Sequence, residues 1–177
     1  MAAQNFDVCL ALTLRFEGGY SDDAADPGGA TNMGITRATL ARARGRAVTK
    51  SEVRELSRAE AAEIYRSLFW APVSGDLLAS GLDAALFDFG VNSGPARAVR
   101  ILQQILGVNE AEGIGPKTLA ALARKNPETV IWTLSRARQG FLERLRTFRS
   151  FGRGWGARVA AVEKAAVALA RDASPKI

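Results

Sequence analysis

The 177-residue sequence contains no histidine and a single cysteine, Cys9. Without histidine, Ser-His-Asp and Cys-His nucleophilic catalysis are excluded, and so is hydrolysis by histidine-ligated zinc. Acid–base chemistry must then fall to Asp, Glu, Lys or Tyr. One cysteine cannot form an intramolecular disulfide, and its apolar neighbours predict a buried core thiol. Structural zinc sites are built mainly from Cys and His, so no metal site is expected.

Long apolar runs are also missing. No stretch reaches the roughly 18 apolar residues of a membrane span, so no transmembrane segment is predicted. The start of the chain, Met-Ala-Ala-Gln-Asn-Phe-Asp, lacks a basic region followed by an apolar core, so no signal peptide is predicted. Hydrophobic residues nevertheless make up 47% of the chain, which is enough for a real core in one domain or two tightly packed lobes.

The net charge of +6 is distributed unevenly. Residues 1–120 carry a net charge of −2, whereas residues 121–177 carry +8. The C-terminal third is therefore the expected contact for a polyanion. Its arginine-rich stretch 136–149 is explained by a solvated helix face, and it could also bind an anionic bacterial envelope. No nucleic-acid-binding motif is present, so no nucleic-acid partner is expected.

Apolar periodicity predicts a mostly helical protein. The pattern indicates helices over 5–16, 37–44, 58–70, 82–91, 95–106, 128–149 and 155–171, and helix starts at Pro116 and Pro127. Ser57 and Glu60 have the spacing of a capping box. Residues 18–36 are rich in glycine and aspartate, which predicts an irregular loop with room for a short β-hairpin. An ordered loop of this length inside a compact domain is usually functional.

Glu17 lies where the first helix meets this loop, between Phe16 and the glycines that precede Tyr20. A carboxyl group held against aromatic surface is desolvated, and the negative end of the helix dipole also disfavours its ionised form. Glu17 is therefore a candidate general acid that donates a proton to a leaving oxygen. An ordinary exposed helix terminus explains the Glu-Gly-Gly sequence equally well.

Glycosidic cleavage usually needs a second carboxylate, and Asp22, Asp23 and Asp26 are the candidates. Asp26 follows Glu17 with eight residues between them, and Thr31 follows Asp26 with four between. This order resembles the Glu, Asp, Thr set of phage T4-type lysozymes, whose second gap is one residue longer. A simple turn, in which Asp26 caps its own backbone, is the alternative explanation of the Asp-Pro-Gly-Gly sequence.

Ordered motifs over roughly residues 6–165 resemble glycoside hydrolase family 108, the N-acetylmuramidases found as phage endolysins and bacterial secretion activators. The motifs are Glu17-Gly18-Gly19-Tyr20, Asp26-Pro27-Gly28-Gly29-Ala30-Thr31, Gly34-Ile35-Thr36, Ile64-Tyr65, Phe69-Trp70, Phe87-Asp88, Val91-Asn92-Ser93-Gly94-Pro95, Leu102-Gln103, Leu106-Gly107, Gly113-Ile114-Gly115-Pro116-Lys117-Thr118 and Gly154-Trp155. The resemblance implies a lysozyme-like fold and places the family's catalytic acid at Glu17. It also implies that peptidoglycan is the substrate and that no cofactor is needed.

The resemblance divides the chain into a catalytic region, 1–90, and a helical region, 91–177, similar to peptidoglycan-binding segments, the two packed as one compact unit. The second region departs from the usual pattern at Glu112, where aspartate is common. It departs again at Gly156-Ala157-Arg158, where an Asn-Arg pair is common after the tryptophan.

Several further residues are candidates for substrate binding. Asp88 and Asn92 lie one helical turn apart, and they could bind sugar hydroxyls or tie the two lobes together. Tyr20 and Thr36, both in the loop, are further predicted substrate contacts. Tyr65 and Trp70 are predicted to be core residues rather than sugar platforms.

These features predict a monomeric N-acetylmuramidase that cleaves the β-1,4 bond between N-acetylmuramic acid and N-acetylglucosamine. Glu17 is the predicted acid, with Asp26 and Thr31 in the catalytic set. The predicted context is a phage endolysin that collects in the host cytoplasm, needs a holin or a dedicated route to reach the wall, and causes lysis. The alternatives are a lytic transglycosylase and a non-enzymatic wall-binding or secretion-accessory protein.

Overall fold

The computed structural model describes residues 5–22, 29–108 and 113–173. These residues form nine α-helices and one two-stranded antiparallel sheet. The strands are β1 (Thr31–Asn32) and β2 (Ile35–Thr36), and the helices are α1 (Phe6–Leu14), α2 (Arg37–Arg44), α3 (Lys50–Arg54), α4 (Arg58–Tyr65), α5 (Leu82–Ser93), α6 (Pro95–Leu106), α7 (Pro116–Leu122), α8 (Pro127–Glu143) and α9 (Phe148–Ala173). This is the mostly α, lysozyme-like fold that the sequence predicts.

Helix α5 lies at the centre of the protein. Its residues 82–90 are all buried, and α1, α6, α8 and α9 pack around it. A helix that is apolar on every side is stable only in such an interior position. Two aspartates interrupt this apolar helix, and a buried carboxylate needs hydrogen-bond partners. Asp83 accepts hydrogen bonds from the backbone N–H groups of Gly81 (2.8 Å) and Ala84 (2.7 Å).

An aromatic cluster fills the space between α1, α4 and α5. Phe6, Tyr65, Trp70 and Phe87 are all buried, and Trp70 meets Phe6 and Phe87 edge-on with centroids 5.3 and 5.4 Å apart. Burial of a large apolar side chain contributes about 1.5–3 kcal/mol, so these rings dominate the local core energy. Tyr65 and Trp70 are therefore core residues, as predicted. Cys9 is buried as well, and burial raises the pKa of its thiol.

The β-hairpin predicted within residues 18–36 is present. Thr31 pairs with Thr36 and Asn32 with Ile35, around a turn at Met33 and Gly34. Both turn residues have positive φ angles (47° and 73°), as the favoured two-residue turns of this kind require. The Asn32 side-chain amide donates to the backbone carbonyls of residues 53 and 54, at 3.1 and 3.0 Å, which ties the hairpin to α3.

The capping prediction at Ser57 is half right. The Ser57 hydroxyl accepts a hydrogen bond from the Glu60 N–H (3.1 Å), but the Glu60 carboxylate pairs with Arg44 (2.8 Å) instead of closing the box. A complete capping box forms at Thr49 and Glu52, at the start of α3, which the sequence analysis did not predict. Arg44 also pairs with Glu52 (2.7 Å), so it joins α2, α3 and α4.

The predicted boundaries of the last two helices are wrong, whereas α2, α6 and the starts of α7 and α8 are as predicted. The predicted helix 128–149 ends at Glu143, because Arg144 and Leu145 donate to carbonyls three residues earlier (3.2 and 3.0 Å) and tighten the chain. Helix α9 then begins at Phe148 rather than at 155. The glycines near its start lower helix propensity, and packing along α8 outweighs that cost. None of the described helices is long and apolar enough to cross a membrane.

We predict that Gly81→Ala destabilises the protein by about 3–5 kcal/mol. Gly81 has a φ of 87°, and a Cβ there would collide with the backbone carbonyl of Ala166 in α9. Gly107→Ala is the matched control, because its φ is 67° but a Cβ would meet no atom within 4 Å. The control should cost only about 1–2 kcal/mol. Urea unfolding measures both, and equal losses would contradict the close contact between α5 and α9.

Candidate active site

Glu17 stands just beyond the end of α1. The helix stops at Leu14, and a turn continues the chain, with the Glu17 N–H donating to the Leu14 carbonyl (3.3 Å). Its side chain is 18% exposed, so the carboxyl group is mostly enclosed but still reaches solvent. The preceding ring, Phe16, lies 5.4 Å from the guanidinium carbon of Arg158. A small part of the Glu17 side chain is therefore open to contact with a substrate.

The hairpin turn packs directly against this carboxyl group. A Cβ on Gly34 would lie 2.6 Å from both Glu17 Oε2 and the Tyr65 hydroxyl, so only glycine allows the turn to approach so closely. Tyr65 donates its hydroxyl hydrogen to the Met33 carbonyl (2.9 Å) and holds the turn there. Burial raises the pKa of Tyr65, and the charge of Glu17 raises it further, so the phenol remains a donor.

Arg158, from α9, joins Glu17 to the centre of the fold. Its Nη1 donates to Glu17 Oε1 (2.8 Å), while its Nε and Nη2 donate to the carboxylate of Asp88 in α5 (the closest contact 2.8 Å). Arg138, from α8, donates to the other side of Asp88 (2.8 Å). Four charged side chains from four parts of the chain therefore form one network, which we call the Asp88 network: Glu17, Asp88, Arg138 and Arg158.

The charges of the Asp88 network balance inside the protein. Asp88 is fully buried, and burial alone would raise its pKa, but the guanidinium groups of Arg138 and Arg158 outweigh burial and hold the pKa below its usual value. Burial would likewise lower the pKa of Arg158, yet Asp88 and Glu17 raise it. Removing one partner of such a buried pair typically costs about 3–5 kcal/mol, because the other charge is left uncompensated. The network therefore holds the Glu17 carboxyl in one place.

The candidates for a second catalytic carboxylate are Asp22, Asp23 and Asp26. Asp26 and Asp23 lie outside the described residues. Asp22 is described, and it forms an ion pair with Lys50 of α3 (3.1 Å). Among the described residues, no group of three or more Cys, His, Asp or Glu side chains could hold a metal ion.

The other predicted site residues occupy two places. Three belong to the hairpin region: Tyr20 stacks under the Arg54 guanidinium (4.6 Å), Thr31 donates to the Gly29 carbonyl (3.2 Å), and Thr36 caps α2 by accepting the Thr39 N–H (3.2 Å). Asn92 is half-buried near the end of α5 and accepts from the Ser93 hydroxyl (3.0 Å). Thr31 and Thr36 face each other across the β1–β2 pair, so the hairpin brings these two together.

Two assignments made from the sequence need correction. Asp88 was a candidate sugar contact, but it is fully buried and its carboxylate is occupied by two guanidinium groups, so its role is to tie the helices together. Arg138 was assigned to a solvated basic face, but it is 3% exposed. Arg158 is also buried. Two cations of the basic C-terminal third therefore bind Asp88 inside the protein and are not available to an external polyanion.

The sequence analysis did not identify Arg158 as a site residue. A signal was available, since Arg158 shares the face of α9 that carries Val162, just as Arg138 interrupts the buried stripe of Ile131, Leu134 and Leu142 in α8. A charged residue in an apolar stripe needs a buried partner of opposite charge.

Comparison with known proteins finds a matching family model and similar solved structures. Residues 10–94, which include Glu17, the hairpin and Asp88, match the model of the family described as Glycosyl hydrolase 108. The solved structure of Brucella abortus SagA is similar over 97% of this chain and 98% of its own, with 46% sequence identity and a TM-score of 0.89. This chain belongs to the glycosyl hydrolase 108 family. No curated protein matches the chain.

Membership of the glycosyl hydrolase 108 family implies glycoside hydrolase activity, with peptidoglycan as the substrate. The match to the family model ends at residue 94, so the peptidoglycan-binding role of region 91–177 stays a prediction. Arg158 nevertheless brings this second region into contact with Glu17.

We predict that Asp88→Asn destabilises the protein by about 3–5 kcal/mol at neutral pH. It should also weaken the acid dependence of stability. A depressed folded-state pKa stabilises the protein above the unfolded-state value of about 3.9, and this contribution is lost as the pH falls through the folded-state pKa.

Urea unfolding between pH 7 and pH 2 tests this prediction. Asp172→Asn, at an exposed position near the end of α9, is the matched control and should behave like the wild type. If Asp88→Asn loses as much stability on acidification as the wild type does, Asp88 is not the group that titrates.

Proposed function

We propose that this chain is an N-acetylmuramidase that hydrolyses the β-1,4 bond between N-acetylmuramic acid and N-acetylglucosamine, with Glu17 as the general acid. The observation that carries the proposal is the position of Glu17, whose partly exposed carboxyl group is held by Arg158 at one oxygen and enclosed by the hairpin turn at the other.

The two oxygens of Glu17 have different surroundings. Arg158 donates to Oε1, whereas Oε2 lies beside Gly34 and Tyr65. We therefore assign Oε2 to the proton transfer, in which Glu17 gives a proton to the glycosidic oxygen as the bond to the anomeric carbon breaks. Arg158 then stabilises the carboxylate that forms, a charge that develops in the transition state.

Water completes the proposed hydrolysis. Its oxygen adds to the anomeric carbon, and its proton is released and finally restores Glu17. We assign Asp26, with Thr31 or Thr36, to orienting this water, and Tyr20 and Asn92 to substrate contacts. No metal or organic cofactor takes part.

The proposal treats regions 1–90 and 91–177 as one compact monomeric unit, and the bond between Glu17 and Arg158 supports this because it crosses the boundary. Exposed arginines of the last third, such as Arg146 and Arg149, would contact the anionic envelope. No nucleic-acid partner is proposed.

Glu17→Gln should abolish peptidoglycan hydrolysis, because the amide keeps the shape of the side chain but cannot donate an acid's proton. Glu63→Gln, at an exposed position on α4, is the matched control and should retain full activity. Release of reducing ends from purified sacculi measures the reaction, and thermal unfolding shows whether both variants fold.

Mass spectrometry of the released muropeptides distinguishes the rival functions. Hydrolysis leaves a reducing N-acetylmuramic acid, whereas a 1,6-anhydro end would show a lytic transglycosylase. A folded Glu17→Gln variant that still clears sacculi would refute the assignment of the acid. A wild type that binds sacculi without cleaving them would show a wall-binding or secretion-accessory protein.

For the biological context we propose a phage endolysin that acts on the wall after release from the host cytoplasm. The similarity to a Brucella abortus protein favours a second context, a bacterial muramidase that acts on the wall of its own cell. Expression of the chain in a bacterial host, with and without a holin, tests the two. An endolysin should lyse the culture only when the holin is present, whereas arrival in the periplasm without a holin would support the bacterial context.

A further inference from the structure

The apolar face of α9 continues beyond the core of the protein. Where the helix crosses the core, this face consists of small and branched residues: Val159, Val162, Ala166 and Ala170. At 3.6 residues per turn, Phe148, Phe151 and Trp155 extend the same stripe toward the start of the helix. In this part of α9 the apolar face is no longer buried by the rest of the protein. Phe151 is 56% exposed, and Phe148 and Trp155 are half-buried. We call these three residues the aromatic surface.

The rings of the aromatic surface support one another. Phe151 and Trp155 stack with centroids 5.8 Å apart and an interplanar angle of 28°, and Phe148 lies 6.4 Å from Trp155. Gly152 makes this possible, because a Cβ at that position would lie 2.7 Å from the Phe148 ring. The surface is therefore a built arrangement of rings that are held in place and still face solvent.

The aromatic surface begins within one helical turn of the active site. Arg158, which binds Glu17, follows Trp155 by three residues and Phe151 by seven, or about 4.5 and 10.5 Å along the helix at a rise of 1.5 Å per residue. Gly154 lies one turn before Arg158 on its face, and a Cβ there would meet no atom within 4 Å. Glycine is unfavourable inside a helix, and at position 154 it leaves the helix backbone uncovered near Arg158.

We propose that the aromatic surface is a sugar-binding subsite, which binds the glycan strand beside the bond that Glu17 cleaves. This inference rests on the proposed function. The faces of the pyranose rings in a β-1,4-linked strand present C–H groups, and these pack against the negative faces of aromatic rings. Phe151 lies two helical turns from Arg158. The surface would therefore bind sugar units of the strand that lie away from the cleaved bond.

Two observations favour a glycan over a lipid or protein partner. The surface consists of aromatic rings rather than aliphatic side chains, and it begins within one helical turn of Arg158, which contacts the proposed acid. Trp132 on α8 is also an exposed aromatic residue, at 40% exposure, but it lies outside the aromatic surface. It therefore serves as the control for removing an exposed aromatic side chain.

The test measures binding in a Glu17→Gln background, so that cleavage does not interfere. The probe is soluble glycan strands of peptidoglycan from which the peptides have been removed, titrated by calorimetry. Phe151→Ala should bind these strands about tenfold more weakly, a loss of about 1.4 kcal/mol, because one ring contact is removed. Trp132→Ala should bind unchanged, and Phe151→Tyr, which keeps the ring, should bind like the parent.

Equal binding by the parent and by the double variant Phe151→Ala/Trp155→Ala would overturn the inference. So would a loss confined to intact sacculi that still carry peptides, or one confined to anionic lipid vesicles, because the surface would then bind a different partner. Thermal unfolding shows that the variants are folded. If the wild type cleaves no strand but Phe151→Ala still weakens binding, the proposed function fails and the sugar-binding subsite stands.

Discussion

The buried carboxylate of Asp88 is the charge around which α5, α8 and α9 are arranged. A buried negative charge near the centre of α5 would be prohibitively costly without partners, and α8 and α9 each bring an arginine to it. Those two arginines determine how the last helices lie against α5. The third guanidinium nitrogen of Arg158, Nη1, donates to Glu17. The position of the proposed acid is therefore set by the same charge that orders the helices.

The environment of Glu17 differs from the one that the sequence predicts. The sequence suggested a carboxyl group desolvated by aromatic neighbours, whereas the structure shows one held by a cation and enclosed by a hairpin turn. Desolvation favours a protonated acid before the reaction, and a cation favours the anion that remains after the proton has left. In the proposed reaction, Arg158 acts on the charge that develops during cleavage. Tyr65 holds the hairpin turn beside the other oxygen of Glu17 through its hydrogen bond to the Met33 carbonyl.

Much of the fold could be predicted from local patterns. Apolar periodicity and prolines located α6 and the starts of α7 and α8, and glycine content located the hairpin. The early start of α9 at Phe148 was missed, because contacts with α8 override the weak helix propensity of the glycines in α9. Glu17 was identified from motifs near it in sequence. Arg158 was missed because its contacts lie 141 and 70 residues away, and no local pattern shows which distant charge a buried arginine meets.

That separation of 141 residues between Glu17 and Arg158 also orders events during synthesis. The ribosome makes the N-terminal end first, so Glu17 and the hairpin emerge long before α9 exists. Until the final helix is made and docks, the carboxylate has no guanidinium from Arg158 and the stripe carrying the aromatic surface is absent. A chain that terminates early would thus contain the proposed acid but not its electrostatic partner. The assembled site consequently requires α9, because α9 carries the partner of the proposed acid.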